Sequence, residues 1–227
     1  VLRDNLFGLE LDPRCTQIAA FNLGFTAWRL AGYRALPALN LACAGVGINA
    51  PVSEWTALAA GDGPAGNAMK QLYELFQQAP TLGSLIDPTR VGGDLFEANF
   101  ARVRGLLSSA LASEGADGAA LAVVARGIAK AASILSERYS LVVTNVPYLG
   151  RGKQDESLRR FSDEHHANAK GDLANVFLER CLELTKPHGA GVVQVVMPQN
   201  APMMPITAII SRARPCGDSL RCTQPVR

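Results

Sequence analysis

The 227-residue chain is poor in the features that announce the commonest functions. It has no glycine-rich phosphate loop of the Walker type, which removes P-loop nucleotide hydrolysis. It has no signature of a Ser–His–Asp triad. Its five cysteines (Cys15, Cys43, Cys181, Cys216 and Cys222) form no metal-type pair, and the odd count fits a reducing compartment better than a disulfide framework. The residues therefore predict no metal. Two long uncharged runs, 35–53 and 189–210, each contain asparagine and at least two prolines, so neither reads as a membrane span. Charge of one sign is also scarce. The net charge is +2, too little to announce nucleic acid by itself. It is concentrated in 211–227, where Arg212, Arg214, Arg221 and Arg227 stand against Asp218 for a local +3, leaving about −1 for the rest.

What is there is a globular balance, 48% apolar and 19% charged, enough for one good-sized domain with a buried core. No signal peptide opens the chain, and a strand pattern begins almost at once, over 6–11. The chain reads as a cytoplasmic piece cut into a fold.

Strand and helix signals alternate along it. Asp12-Pro13 combines a capping acid with proline at a first helical position, so a helix starts there and runs to about Leu30. Ile18, Phe21, Phe25 and Trp28 lie at helical spacing, and Gly32 is its stop. Further strands are expected over 39–43, 140–144 and 191–196, the last as a buried strand. Helices are expected near 67–78, over 97–113 and 118–138, and from an Asp172 cap onward with Leu173, Val176, Phe177, Cys181 and Leu184 on one face. A polar loop spans 145–171. The stretch 46–138 reads as an insertion or loop-rich crossover, and 201–227 as an irregular tail. This order predicts an α/β fold with a mainly parallel sheet containing all four strands.

Ligands of such sheets bind at the carboxyl ends of strands. Glu10 stands near the end of the first strand. It could accept both hydroxyls of a ribose, or be a surface acid where the helix begins. Asn145-Val146-Pro147-Tyr148 follows the strand 140–144. The Asn145 side-chain oxygen and the Val146 carbonyl can together accept two hydrogen bonds from one amino group. Pro147 biases Val146 toward extended backbone, and Tyr148 offers a stacking ring. The alternative is an ordinary Asn-x-Pro turn with a packing tyrosine. The end of the strand 39–43, near 42–45, carries no charge and reads as a plain turn. His165-His166, beside Asp163 and Glu164, reads as a solvated loop rather than a metal site. Arg151, Lys153, Arg159 and Arg160 are either solvated or placed for phosphate contact.

Three segments together resemble the adenine-specific (N6) DNA methyltransferases, closest to the Eco57I-like and BREX phage-exclusion methylases. "LFGLELDPRCTQIAAFNL" (6–23) is similar to the family's acidic second-strand motif and following helix. "YSLVVTNVPYL" (139–149) resembles the strand leading into its Asn-Pro-Pro-Tyr motif. "DLANVFLERCLELTKPHGAGVVQVV" (172–196) resembles the helix and strand beyond it. The resemblance covers about 1–200. It implies a Rossmann-like fold, incomplete at the N-terminus, that binds S-adenosyl-L-methionine (SAM), with Glu10 on the ribose of SAM. It also implies that double-stranded DNA is the partner and that the target adenine is flipped out of the duplex. Asn145 and the Val146 carbonyl would accept from its N6 amine, Pro147 would shape the turn and Tyr148 would stack on the ring. Other phage-defence subunits are implied partners, and no membrane.

The chain departs from the family pattern at Val146, where the family has proline; the carbonyl is kept and the fixed φ lost. The acid common after the family's third strand is replaced here by Ala44-Gly45. The family's glycine-rich SAM motif precedes the acidic strand and would lie before Val1, and its target-recognition domain would follow. Two alternatives stand beside this reading: a SAM-dependent methyltransferase of another amine, such as a protein glutamine or an RNA base, and a degenerate non-catalytic remnant.

Overall fold

The computed structural model describes residues 1–59, 61–90, 103, 116–187 and 190–196. The expected helix over 97–113 and the tail 201–227 lie outside or almost wholly outside these residues. The chain divides into two compact units, Val1–Ser136 and Glu137–Arg227.

In the first unit, β1 (Phe7–Glu10) pairs in parallel with β2 (Asn40–Cys43), Glu10 opposite Cys43. The connection is α1 (Pro13–Ala31). Asp12 is extended at its N-cap and accepts the Arg14 N–H at 2.8 Å, while Pro13 supplies a helical φ where no N–H is needed. The helix ends at Gly32, whose φ of 75° only glycine adopts cheaply. The aromatic stripe that signals this helix does not face the strands: Ile18, Phe21, Phe25 and Trp28 are all exposed, Phe21 by 69%. Its small side does the packing. Gly24 is buried, where a Cβ would lie 3.0 Å from the Leu36 side chain, and Ala19, Ala20, Leu23 and Ala27 are half-buried on the helix that contacts β1 and β2.

The stretch after β2 is more helical than its glycines and prolines suggest. α2 (Val52–Ala57), α3 (Gly63–Phe76), α4 (Ala79–Leu82) and a 3₁₀ turn (Gly83–Leu85) follow one another. Pro64 and Pro80 sit in the first turns of α3 and α4, where proline starts a helix rather than breaking one. These elements hold much of the unit's core: Trp55, Met69, Leu72, Phe76, Leu85 and Ile86 are all buried. The Trp55 indole donates to the Met69 carbonyl at 2.6 Å, so its one polar atom is satisfied inside. α5 (Ala116–Ser136) adds Ile128 and Leu135 and lays Ala122, Ala125, Ala129 and Ala132 inward, packing on β2.

In the second unit, β3 (Leu141–Asn145) pairs in parallel with β4 (Val192–Val196), from Leu141 opposite Val192 to Asn145 opposite Val196. The four expected strands therefore exist, but among the described residues they hydrogen-bond as two parallel pairs and not as one sheet. The architecture is α/β with short parallel strands. The expectation of a buried strand at 191–196 is corrected: Val192 and Val196 are exposed, and only Val193 and Val195 are half-buried, because the helix that packs on β4 covers one face. That helix is α7 (Leu173–Glu183), capped by the Asp172 carboxylate on the Ala174 N–H at 2.9 Å. The expected polar loop also contains an element. α6 (Glu156–His165) begins at Asp155, whose carboxylate accepts the Leu158 N–H at 2.8 Å, and it buries Leu158 and Ser162 one turn apart. Its surrounding charges mask so short an apolar signal.

Candidate functional site

Both singled-out strand ends carry exposed polar side chains. Glu10 is the last residue of β1. Its backbone carbonyl accepts the Ala44 N–H at 2.7 Å, and the Cys43 thiol donates to the next carbonyl, Leu11, at 3.2 Å. The two segments thus stay in contact beyond the strands, and the Glu10 carboxylate is left at the lip with no ion-pair partner among the described residues. An exposed carboxylate offers two acceptor oxygens, the set that the two donating hydroxyls of a ribose diol require. At the end of β2 the packing explains the absence of an acid. A Cβ at Gly45 would overlap the Leu11 carbonyl oxygen, and it would lie 2.8 Å from the Leu11 side chain. Gly45→Ala is therefore expected to force a backbone shift and destabilise the first unit by roughly 1–3 kcal/mol, read as a lower urea midpoint.

Asn145 is the last residue of β3 and is exposed; Val146 is buried, at 3% exposure; Pro147 and Tyr148 are exposed again. Burial of the Val146 side chain anchors the turn in the unit while its neighbours stay at the surface. The far end of the turn is also tied. The Leu149 carbonyl accepts from Gln154 Nε2 at 2.9 Å and from the Leu173 N–H at 3.0 Å, and Gly150 forms an antiparallel bridge with Asp172. Between these anchors the Tyr148 hydroxyl lies 2.8 Å from the Val196 carbonyl and 3.2 Å from Asn145 Oδ1. The segment is thus a tethered loop that presents an amide and an aromatic ring, side by side, to solvent.

The structure brings Asn145, Val146, Pro147 and Tyr148 together in this one loop and places Glu10 in the other unit. Sequence reasoning misses Gln154, buried at 3% exposure, and the Val196 carbonyl. No local pattern marks either: the Val196 carbonyl is defined by Tyr148, 48 positions away, and Gln154 by its burial and a bond back to Leu149 that composition does not signal.

Residues 4–203 match the Eco57I restriction-modification methylase family. The chain belongs to that family. It is similar to an adenine-specific methyltransferase, PglX, of Lacticaseibacillus casei (strain Zhang), with 39% identity over 64 residues, 28% of this chain and 5% of that protein. It is similar also to an adenine-specific methyltransferase, BrxX, of Escherichia coli O9:H4 (strain HS), with 27% identity over 212 residues, 83% of this chain and 17% of that protein. The chain thus spans a minor part of the length of the curated relatives it matches.

The basic residues beyond the loop are of two kinds in this family member. Arg151 is engaged: Nη2 pairs with Asp163 at 2.7 Å, and Lys170 pairs with the same carboxylate at 2.9 Å. Hydrogen bonds from Arg151 and then Lys170 hold the Asp163 carboxyl below its ordinary value. Lys153 and Arg159 are exposed, and so is Arg160, whose Nε lies 4.0 Å from the exposed Glu164 carboxylate.

The histidines need a correction. His165 closes α6 and is only partly covered, but His166 is buried, at 1% exposure, with Nδ1 3.1 Å from the buried Glu179 carboxylate. It belongs to a buried polar cluster and not to a solvated loop. α7 supplies that cluster from its inward side, where Asn175, Glu179 and Arg180 are all buried.

Proposed function

We infer that this chain is the catalytic part of a SAM-dependent methyltransferase that modifies the N6 amine of adenine in DNA, in a cytoplasmic restriction-modification or phage-defence system. The tethered loop 145–148 at the end of β3 carries the reading. Its amide and ring are adjacent, exposed and fixed at both ends, which suits a planar heterocycle with an exocyclic amine.

The adenine is reached only after it is flipped from the duplex, since a stacked base hides its amine from a protein pocket. Asn145 Oδ1 and the Val146 carbonyl accept the two N6 protons and keep the nitrogen lone pair directed outward. Tyr148 stacks on the ring, and buried Val146 keeps the acceptor carbonyl from swinging away. These groups act by positioning and by fixed dipoles, with no covalent intermediate on the protein. Glu10 accepts the ribose hydroxyls of SAM. When bound, SAM supplies the transferable methyl group. Lys153, Arg159 and Arg160 lie beyond the loop where phosphates of the DNA backbone are contacted. A Rossmann-like completion of the fold and a partnership with other phage-defence subunits belong to the same reading.

The test is transfer of isotopically labelled methyl from SAM. Label recovered as N6-methyladenine in duplex DNA is the expected result. Label recovered on a protein glutamine or an RNA base would sink the DNA reading, and no transfer from the full-length protein would sink the enzymatic one.

A further inference from the structure

The Tyr148 hydroxyl has a task that ring stacking does not need. A phenol carries one proton, and two oxygens lie within its reach, the Val196 carbonyl at 2.8 Å and Asn145 Oδ1 at 3.2 Å. A carbonyl can only accept, and it is the nearer, so the proton goes to Val196. The phenol oxygen then turns a lone pair toward Asn145. With Oδ1 at that position two acceptors face each other. A half-turn of the amide, whose oxygen and nitrogen are nearly equal in size, places Nδ2–H there instead and satisfies both groups. Oδ1 then points to the other side of the amide.

We propose that Tyr148 is a positioning residue for Asn145: its hydroxyl, oriented by the Val196 carbonyl, holds the amide nitrogen and so presents Oδ1 as the acceptor for the substrate amine. The relay links the carboxyl ends of both strands of this pair, since Asn145 and Val196 are partners in its register. It gives the loop a polarity that an asparagine alone lacks. An unheld amide presents Oδ1 or Nδ2 to the incoming amine, and the Nδ2 orientation sets donor against donor. The proposal rests on the reading of Asn145 as the acceptor of that amine.

Two measurements test it. The first needs no turnover. In ¹⁵N–¹H spectra of the 227-residue protein, the Asn145 side-chain signal is identified by its loss in Asn145→Asp. One of its two protons should be shifted downfield and slow to exchange, and in Tyr148→Phe both should move to the positions of a solvent-exposed asparagine. An amide already at those positions in the wild type, or unmoved in Tyr148→Phe, overturns the proposal. The second is a double-mutant cycle on single-turnover methyl transfer by the full-length protein. Tyr148→Phe should slow transfer about threefold to tenfold, the size of one lost hydrogen bond, with DNA affinity unchanged. In the Asn145→Asp background both side-chain oxygens accept, no orientation is left to choose, and the same change should cost less than about twofold. Equal losses in both backgrounds would assign the hydroxyl a merely structural role. If instead Asn145→Ala transfers methyl groups normally, the reading of the site fails, while the spectra still decide whether the phenol orients the amide.

Discussion

Asn145→Ala is expected to reduce methyl transfer at least about 100-fold while leaving the fold intact. The side chain is exposed at the end of β3, so its removal creates no cavity. The amine is left facing a methyl group where its acceptor stood. An unsatisfied buried donor costs about 1–3 kcal/mol, or roughly 10- to 100-fold, and loss of the in-line orientation adds to it. The measurement is single-turnover transfer by the full-length protein, beside thermal unfolding of the variant. A variant with unchanged melting and a rate within about threefold of wild type would remove Asn145 from the chemistry.

Glu179→Ala is expected to be the most damaging of these changes to stability. Glu179 is buried on α7, and its carboxylate meets the buried His166 ring at 3.1 Å. Truncation deletes one partner of a buried polar pair and opens a hole in the same step, and breaking such a pair costs roughly 3–5 kcal/mol. Cys181 provides the readout. It lies on the same helix, is buried and carries a free thiol whose pKa burial pushes up to about 11. In the folded protein it is therefore a protonated, shielded thiol, slow to alkylate at neutral pH. Glu179→Ala should raise its alkylation rate at least about 100-fold, followed by mass spectrometry of the peptide that contains it. Exposed Cys15 serves as the internal control. A Cys181 rate within about tenfold of wild type would show that the pair contributes little.

What could be read from the sequence was local chemistry. Asp12-Pro13 and Gly32 bound α1 because a cap, a preset φ and a left-handed stop act within a few residues of themselves. Asp172 marks the start of α7 for the same reason, and Asn145 could be placed at a strand end because β-branched residues precede it. Partnership between distant segments was illegible. Nothing near Tyr148 announces Val196, 48 positions away, and nothing near His166 announces Glu179. The pairing of strands by twos, the helix between Asp155 and His166, and the outward aromatic face of α1 all depend on what a segment packs against. In α1 the strongest periodic signal and the packing surface fall on different sides. The covered side is mostly alanine and glycine, and these carry too little hydrophobicity to stand out in the pattern.

The division into two units has a spectroscopic consequence. Both tryptophans, Trp28 and Trp55, lie in Val1–Ser136, and none lies in Glu137–Arg227. Indole emission from this protein therefore reports on the first unit alone. Trp55, enclosed in the core and bonded to a carbonyl, should emit at short wavelength. Trp28, at the surface, should emit at longer wavelength and be quenched by iodide. The loop bearing Asn145 and Tyr148 is dark in that channel. A melting curve followed by tryptophan emission carries no indole signal from the second unit, so variants of the loop or of Glu179 call for a probe within it, such as alkylation of Cys181.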